Sequence, residues 1–116
     1  NIAPLEHDVW SHKQLLDVVS HTPIEVEKMT ALQKAAQFID THREHVPADQ
    51  KLYSWWSYRA SDWNASNRGR RLDHIWATPD LKSKLVATNI LSEARGWDQP
   101  SDHVPIWADF EGMKAA

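Results

Sequence analysis

The chain has 116 residues, 41% of them hydrophobic, which is enough for one globular domain (1–116) and too few for two. A formal net charge of −3 argues against a generally basic nucleic-acid binder. The absence of cysteine excludes disulfides and thiolate metal sites and fits a reducing compartment, while no apolar run approaches membrane-spanning length and no signal peptide is visible.

In chain order, Asn1 to Trp10 has no clean period and reads as a loop leaving a strand that ends before residue 1. Ser11-His12-Lys13-Gln14 has the spacing of a capping box and predicts a short helix over Ser11 to Val18. Thr22-Pro23-Ile24-Glu25 is a stronger start, with Thr22 as N-cap, proline at the first helical position and Glu25 reaching back. Ile24, Met29, Leu32 and Ala36 then recur at helical spacing, so the helix should reach Ala36 or Gln37 and cover a sheet. Phe38-Ile39-Asp40 reads as a short strand before a turn at Val46-Pro47-Ala48-Asp49. His42 and His45 have no third ligand nearby and read as a solvated helical turn rather than a metal pair.

Leu52 to Tyr58 is an aromatic-rich strand, Ala60 to Gly69 a loop, and Arg71 to Thr78 a returning strand, so the two strands should form a hairpin. Thr78-Pro79-Asp80 opens a helical turn, and Val86 to Ala94 predicts a third strand. Trp56, Trp76 and Trp107, each inside a predicted strand, are assigned to the core. Charge is uneven along this half. Arg59, Arg68, Arg70 and Arg71 face only Asp62 between residues 59 and 71, a local +3 that leaves −6 for the remainder, so one loop alone suits a polyanion.

The last strand carries the chemistry at its mouth. Val104, Ile106, Ala108 and Phe110 form one wholly apolar parity, which predicts a face buried in a core, and Asp102 and His103 stand immediately before it. An imidazole can hold an anion or pass a proton when a carboxylate fixes its tautomer, and Asp73 in Leu72-Asp73-His74-Ile75 is the candidate partner of His103, although taken alone it reads as an ordinary strand-end carboxylate. His74 reads as a packed or surface residue.

Four ordered fragments are similar to a known set: Asn1-Ile2-Ala3-Pro4, Ser54-Trp55-Trp56-Ser57-Tyr58-Arg59, Gly69-Arg70-Arg71-Leu72-Asp73-His74-Ile75 and Pro100-Ser101-Asp102-His103-Val104-Pro105-Ile106-Trp107. They resemble the C-terminal half of exonuclease III, whose family comprises abasic-site endonucleases and 3′-5′ exonucleases of the endonuclease/exonuclease/phosphatase superfamily. The resemblance implies an α/β (α+β) chain, the C-terminal half of a four-layered DNase I-like sandwich. It also implies that Asp73 orients His103, that Asp102 lies on the metal and water side, and that Asn1 hydrogen-bonds the scissile phosphate. Trp55 would line a pocket for a base-less sugar, and Arg70 and Leu72 would complete that pocket and wedge the duplex. Arg70 departs from the aromatic or aliphatic residue of many members. Arg59, Arg68, Arg70 and Arg71 would face DNA phosphates.

The same resemblance implies a magnesium or manganese cofactor whose principal ligands, a glutamate and an aspartate, belong to an N-terminal half that precedes Asn1. The chain is accordingly expected to be an inactive fragment of a bacterial cytoplasmic enzyme acting on duplex DNA at abasic sites and 3′ ends. It is expected to dimerise or to fold poorly without its other half. A lipid or inositol-phosphate phosphatase of the same superfamily would share Ser101-Asp102-His103 but has no need of the Trp55-Trp56 strand and arginine loop. The remaining alternative is a non-catalytic DNA-binding or assembly module.

Overall fold

The computed structural model describes residues 1–112. Helices α1 (His12–Leu15), α2 (Pro23–Ala36), α3 (Thr41–His45) and α4 (Trp63–Ser66) alternate with strands β1 (Ile39–Asp40), β2 (Trp55–Trp56), β3 (Gly69–Arg70), β4 (Trp76–Ala77), β5 (Leu85–Ile90) and β6 (Ile106–Phe110). Every strand pairing is antiparallel: β1 with β4, β2 with β3, and β5 with β6.

The expected signal starts α2. Glu25 Oε1 accepts from Thr22 Oγ1 at 2.6 Å, Ser20 N at 2.8 Å and Thr22 N at 3.3 Å, and these hydrogen bonds, that of the Thr22 hydroxyl first, hold the Glu25 carboxyl below its usual value. Gln37, in the left-handed region at φ 56°, closes the helix with its N–H on the Gln33 and Lys34 carbonyls. The apolar stripe does not become a buried face, because Ile24 and Leu32 each remain 57% exposed. Helical spacing fixes which residues share a face, not whether another surface meets it.

The aromatic strand is shorter in regular pairing than expected, and the returning strand is split in two. Trp55 faces Arg70 and Trp56 faces Gly69, whereas Trp76 and Ala77 turn away to pair with Asp40 and Ile39. Two interactions enforce the split. The Arg71 amide donates to the Asp8 carbonyl, and the Thr41 amide and hydroxyl both donate to the Ile75 carbonyl, so different neighbours claim the two ends. Gly69 is required by proximity, since a Cβ there would lie 2.5 Å from the Tyr53 ring. The predicted loop before it contains α4, capped by Asp62, whose carboxylate accepts from the Ala65 amide.

Two small cores hold the elements together. Ala3, Val9, Leu15 and Leu72 form one, and Tyr53, Trp56, Ala94 and Val104 the other, with Trp10 packed against both. Of the tryptophans assigned to the core, Trp56 is buried and Trp76 half-buried, but Trp107 is exposed on the outward parity of β6. On that strand Ile106, Ala108 and Phe110 are half-buried rather than enclosed. His42 also departs from expectation. It is buried on α3 and its Nε2–H donates to the Asn89 carbonyl at 3.0 Å, because β5 packs against that helix. Among the described residues no helix is long and apolar enough to cross a membrane.

Candidate active site

Ser54-Trp55-Trp56 runs between two chain segments and bonds to both. On one side the Ser54 amide donates to the Arg70 carbonyl at 2.9 Å. On the other the Val104 amide donates to the Ser54 carbonyl at 2.9 Å, and the Trp56 amide to the Asp102 carbonyl at 3.0 Å. Backbone pairing therefore brings residues 70–73 and 102–104 to one place, a rigid base for side chains that must hold a set distance.

Asp73 and His103 meet there. His103 Nδ1 lies 2.9 Å from Asp73 Oδ2 and 3.1 Å from Oδ1. A carboxylate only accepts, so Nδ1 carries the hydrogen and Nε2 is the nitrogen left for a ligand. Ser54, fully buried, fixes the carboxylate in turn. Its hydroxyl donates to Asp73 Oδ2 at 2.7 Å while accepting from the Leu72 amide at 3.0 Å and the Asp73 amide at 3.1 Å. The side chains of His103 and Asp73 are 35% and 32% exposed, so the pair is supported from below and open above.

Asp102 is held at three points by the aromatic segment. The Trp55 indole Nε1–H donates to its Oδ2 at 3.0 Å, the Tyr58 hydroxyl accepts from its amide at 3.0 Å, and its carbonyl takes the Trp56 amide. Tyr58 also donates to the Pro100 carbonyl at 3.1 Å. Ser54 and Tyr58 belong to the fragment Ser54-Trp55-Trp56-Ser57-Tyr58-Arg59 but were given no role from the sequence; strand parity places Ser54 and Trp56 on one face without naming their partners.

The other expected residues divide. Asn1 is exposed, and the next residue is anchored beside the pair, because His74 Nε2–H donates to the Ile2 carbonyl at 2.6 Å. Arg59 is exposed, with no hydrogen-bond partner for its guanidinium among the described residues. Arg68, also exposed, lies over the Trp10 ring, 4.7 Å from its centroid. Arg70 lies over the Trp55 ring at 5.0 Å.

Arg71 is a correction. It is 1% exposed and spans two carboxylates, with Nε and Nη2 on Asp8 at 2.8 and 2.9 Å and Nη1 and Nη2 on Asp40 at 2.8 and 2.7 Å. Burial alone would lower its pKa, but the hydrogen bonds to Asp40 and Asp8 raise it above the usual range, so it is a buried structural cation and does not face DNA. Leu72 is corrected likewise. It is 7% exposed within the Ala3, Val9 and Leu15 core, so it supports Trp55 from beneath and does not project as a wedge.

An α+β fold with paired carboxylate and imidazole at strand ends, beside a second anchored carboxylate, defines a DNase I-like protein. The chain belongs to the Endonuclease/Exonuclease/phosphatase family, whose model matches residues 6–103. It is 38% identical over 72 residues to exodeoxyribonuclease III of Haemophilus influenzae, covering 62% of this chain and 27% of that protein. It is 31% identical over 106 residues to an exodeoxyribonuclease of Bacillus subtilis, covering 91% of this chain and 40% of the relative. An AP endonuclease from Archaeoglobus fulgidus superposes with a TM-score of 0.89 at 28% identity, over 95% of this chain and 42% of the other. The chain thus spans about two fifths or less of the length of these curated relatives.

Proposed function

We propose that the chain carries part of the active site of a DNA repair nuclease of the exodeoxyribonuclease III type, hydrolysing phosphodiesters at abasic sites and 3′ ends of duplex DNA. The observation that carries this reading is the His103–Asp73 pair, fixed by Ser54 and open at Nε2. Facing a phosphate, His103 presents Nε2 to a non-bridging oxygen, and the Asp73 carboxylate orients the ring by accepting the Nδ1 hydrogen. Asn1 would add a neutral donor, and exposed Arg59 and Arg68 would meet neighbouring phosphates. The names of the relatives support the substrate class. The setting that fits is the bacterial cytoplasm.

The resemblance implies a divalent cation, magnesium or manganese, which would polarise the phosphate and its attacking water. Among the described residues no group of three or more His, Cys, Asp or Glu is gathered to hold one. Asp102 would lend the carboxylate oxygen that the Trp55 indole leaves free, and other ligands would have to come from outside these residues.

The test is a double-mutant cycle in the intact protein. His103→Ala should lower kcat/KM on abasic duplex about 10²–10⁴-fold. Asp73→Asn should cost somewhat less, and the double variant about as much as His103→Ala alone, since the two act as one unit. Near-normal cleavage by His103→Ala would overturn the assignment.

A further inference from the structure

Three chain segments bring Arg70, Trp55 and His103 into one row. Trp55 pairs with Arg70 on one side and bridges to His103 on the other. Residues directly opposite each other on neighbouring strands project from the same face, about 5 Å apart. The row therefore reads guanidinium, indole, imidazole.

Arg70 is held rather than mobile. Its Nη1 donates to the Val19 carbonyl and to Ser20 Oγ, both at 3.1 Å, and Ser20 is itself buried with φ at 84°. The other nitrogens are not satisfied: Nε is buried without a partner, and Nη2 has none among the described residues. Burial pushes the Arg70 pKa down, as expected of a cation that lacks an anion. Held in this way over Trp55, the guanidinium covers the aromatic face on which a base-less sugar would lie. It also leaves an uncompensated positive charge in the row that ends at His103.

We propose, resting on the nuclease reading above, that Arg70 sets substrate choice at this site, favouring a 3′-terminal phosphate monoester over a base-less sugar within a continuous strand. A monoester carries about −1.5 to −2 charges at neutral pH, more than the single charge of a diester, and asks for no room beyond the phosphate. In the favoured reaction the oxygen of a water bonds to phosphorus and the bond from phosphorus to O3′ breaks. One proton of that water ends on O3′, and the products are a 3′-hydroxyl and inorganic phosphate. Arg70 neither gives nor takes that proton. It supplies charge to the monoester and bulk against the sugar.

The intact protein, Arg70→Leu and Arg70→Lys are assayed on one duplex bearing either a 3′-terminal phosphate or an internal tetrahydrofuran abasic analogue, with kcat/KM measured for each. The ratio between substrates cancels any loss of folded protein. Arg70→Leu should shift the ratio at least tenfold toward the abasic analogue, and Arg70→Lys, which keeps the charge, should shift it less than threefold. A ratio within twofold of wild type in Arg70→Leu would overturn the role of Arg70 while leaving the nuclease reading intact. Wild-type protein that cleaves neither substrate would overturn both.

Discussion

Trp55 uses two parts of one side chain. Its ring face lies under Arg70, and its edge nitrogen holds the Asp102 carboxylate. Trp55→Phe separates these uses, because it keeps an aromatic face and deletes the only hydrogen the indole donates. A hydrogen bond to a charged group is worth about 1.5–3 kcal/mol, so a carboxylate freed to rotate should lower kcat by roughly tenfold or more, with KM nearly unchanged. Steady-state kinetics on either duplex substrate checks this, and a wild-type kcat in Trp55→Phe would show that the N–H is idle. The resemblance gave Trp55 only the ring's role. The second use needed coordinates, since 47 residues separate donor from acceptor.

At the scale of elements, the organising contact is ionic and buried. Arg71, between β3 and β4, joins Asp8, 63 residues away, to Asp40 on β1, 31 residues away, and Arg43 on α3 adds a 2.7 Å bond to Asp8. Burial would raise the Asp40 carboxyl, but the Arg71 hydrogen bonds and charge hold it below the usual carboxylate value. Removing one partner of such a pair leaves the other charged and dry, so Arg71→Ala should cost about 3–5 kcal/mol. Arg68→Ala, exposed on the other side of β3, should cost under about 0.5 kcal/mol. Urea midpoints measure both, and equal midpoints would refute the structural role of Arg71. Its place explains what the sequence could show. Local signals were legible: the Thr22-Pro23-Glu25 start, the short strand at Ile39–Asp40 and the parity of β6, whereas the aromatic strand pairs with Gly69–Arg70 and not with the expected returning strand Arg71 to Thr78. Asp73 and His103 were legible as a pair only through their resemblance to a family. The burial of Arg71 and His42 was not legible, because a charge run looks the same whether water or a distant carboxylate faces it, and the partners are fixed by tertiary packing.

For the whole molecule, the polar interior weighs heavily because the apolar one is thin. The accessible surface is 7430 Å², against about 6500 Å² for a compact 13.4 kDa monomer. The radius of gyration is 15.0 Å, against about 13 Å for a typical domain of this length. Two histidines, His42 buried and His74 half-buried, then set a pH limit. Burial, followed for His74 by the charge of Arg71, pushes both His42 and His74 below the usual 6.5. His74 shows why: Nε2–H is committed to the Ile2 carbonyl, and the buried Nδ1 has no partner to receive a second hydrogen bond. A group whose folded pKa is depressed is protonated first in the unfolded chain, so its contribution is fully present above about pH 6.5 and is lost as pH falls toward the folded value. Asp40, also depressed, acts with the same sign in the more acidic carboxylate range. Stability should therefore be level between pH 8 and 7 and fall steadily from pH 6.5 to 5, before the carboxylates titrate. Urea denaturation across that range checks it, with His74→Gln as control: the glutamine variant should lose part of the slope, because it cannot take up the proton that favours the unfolded chain. A wild-type midpoint that stays level down to pH 5 would mean that both imidazoles accept a proton in place.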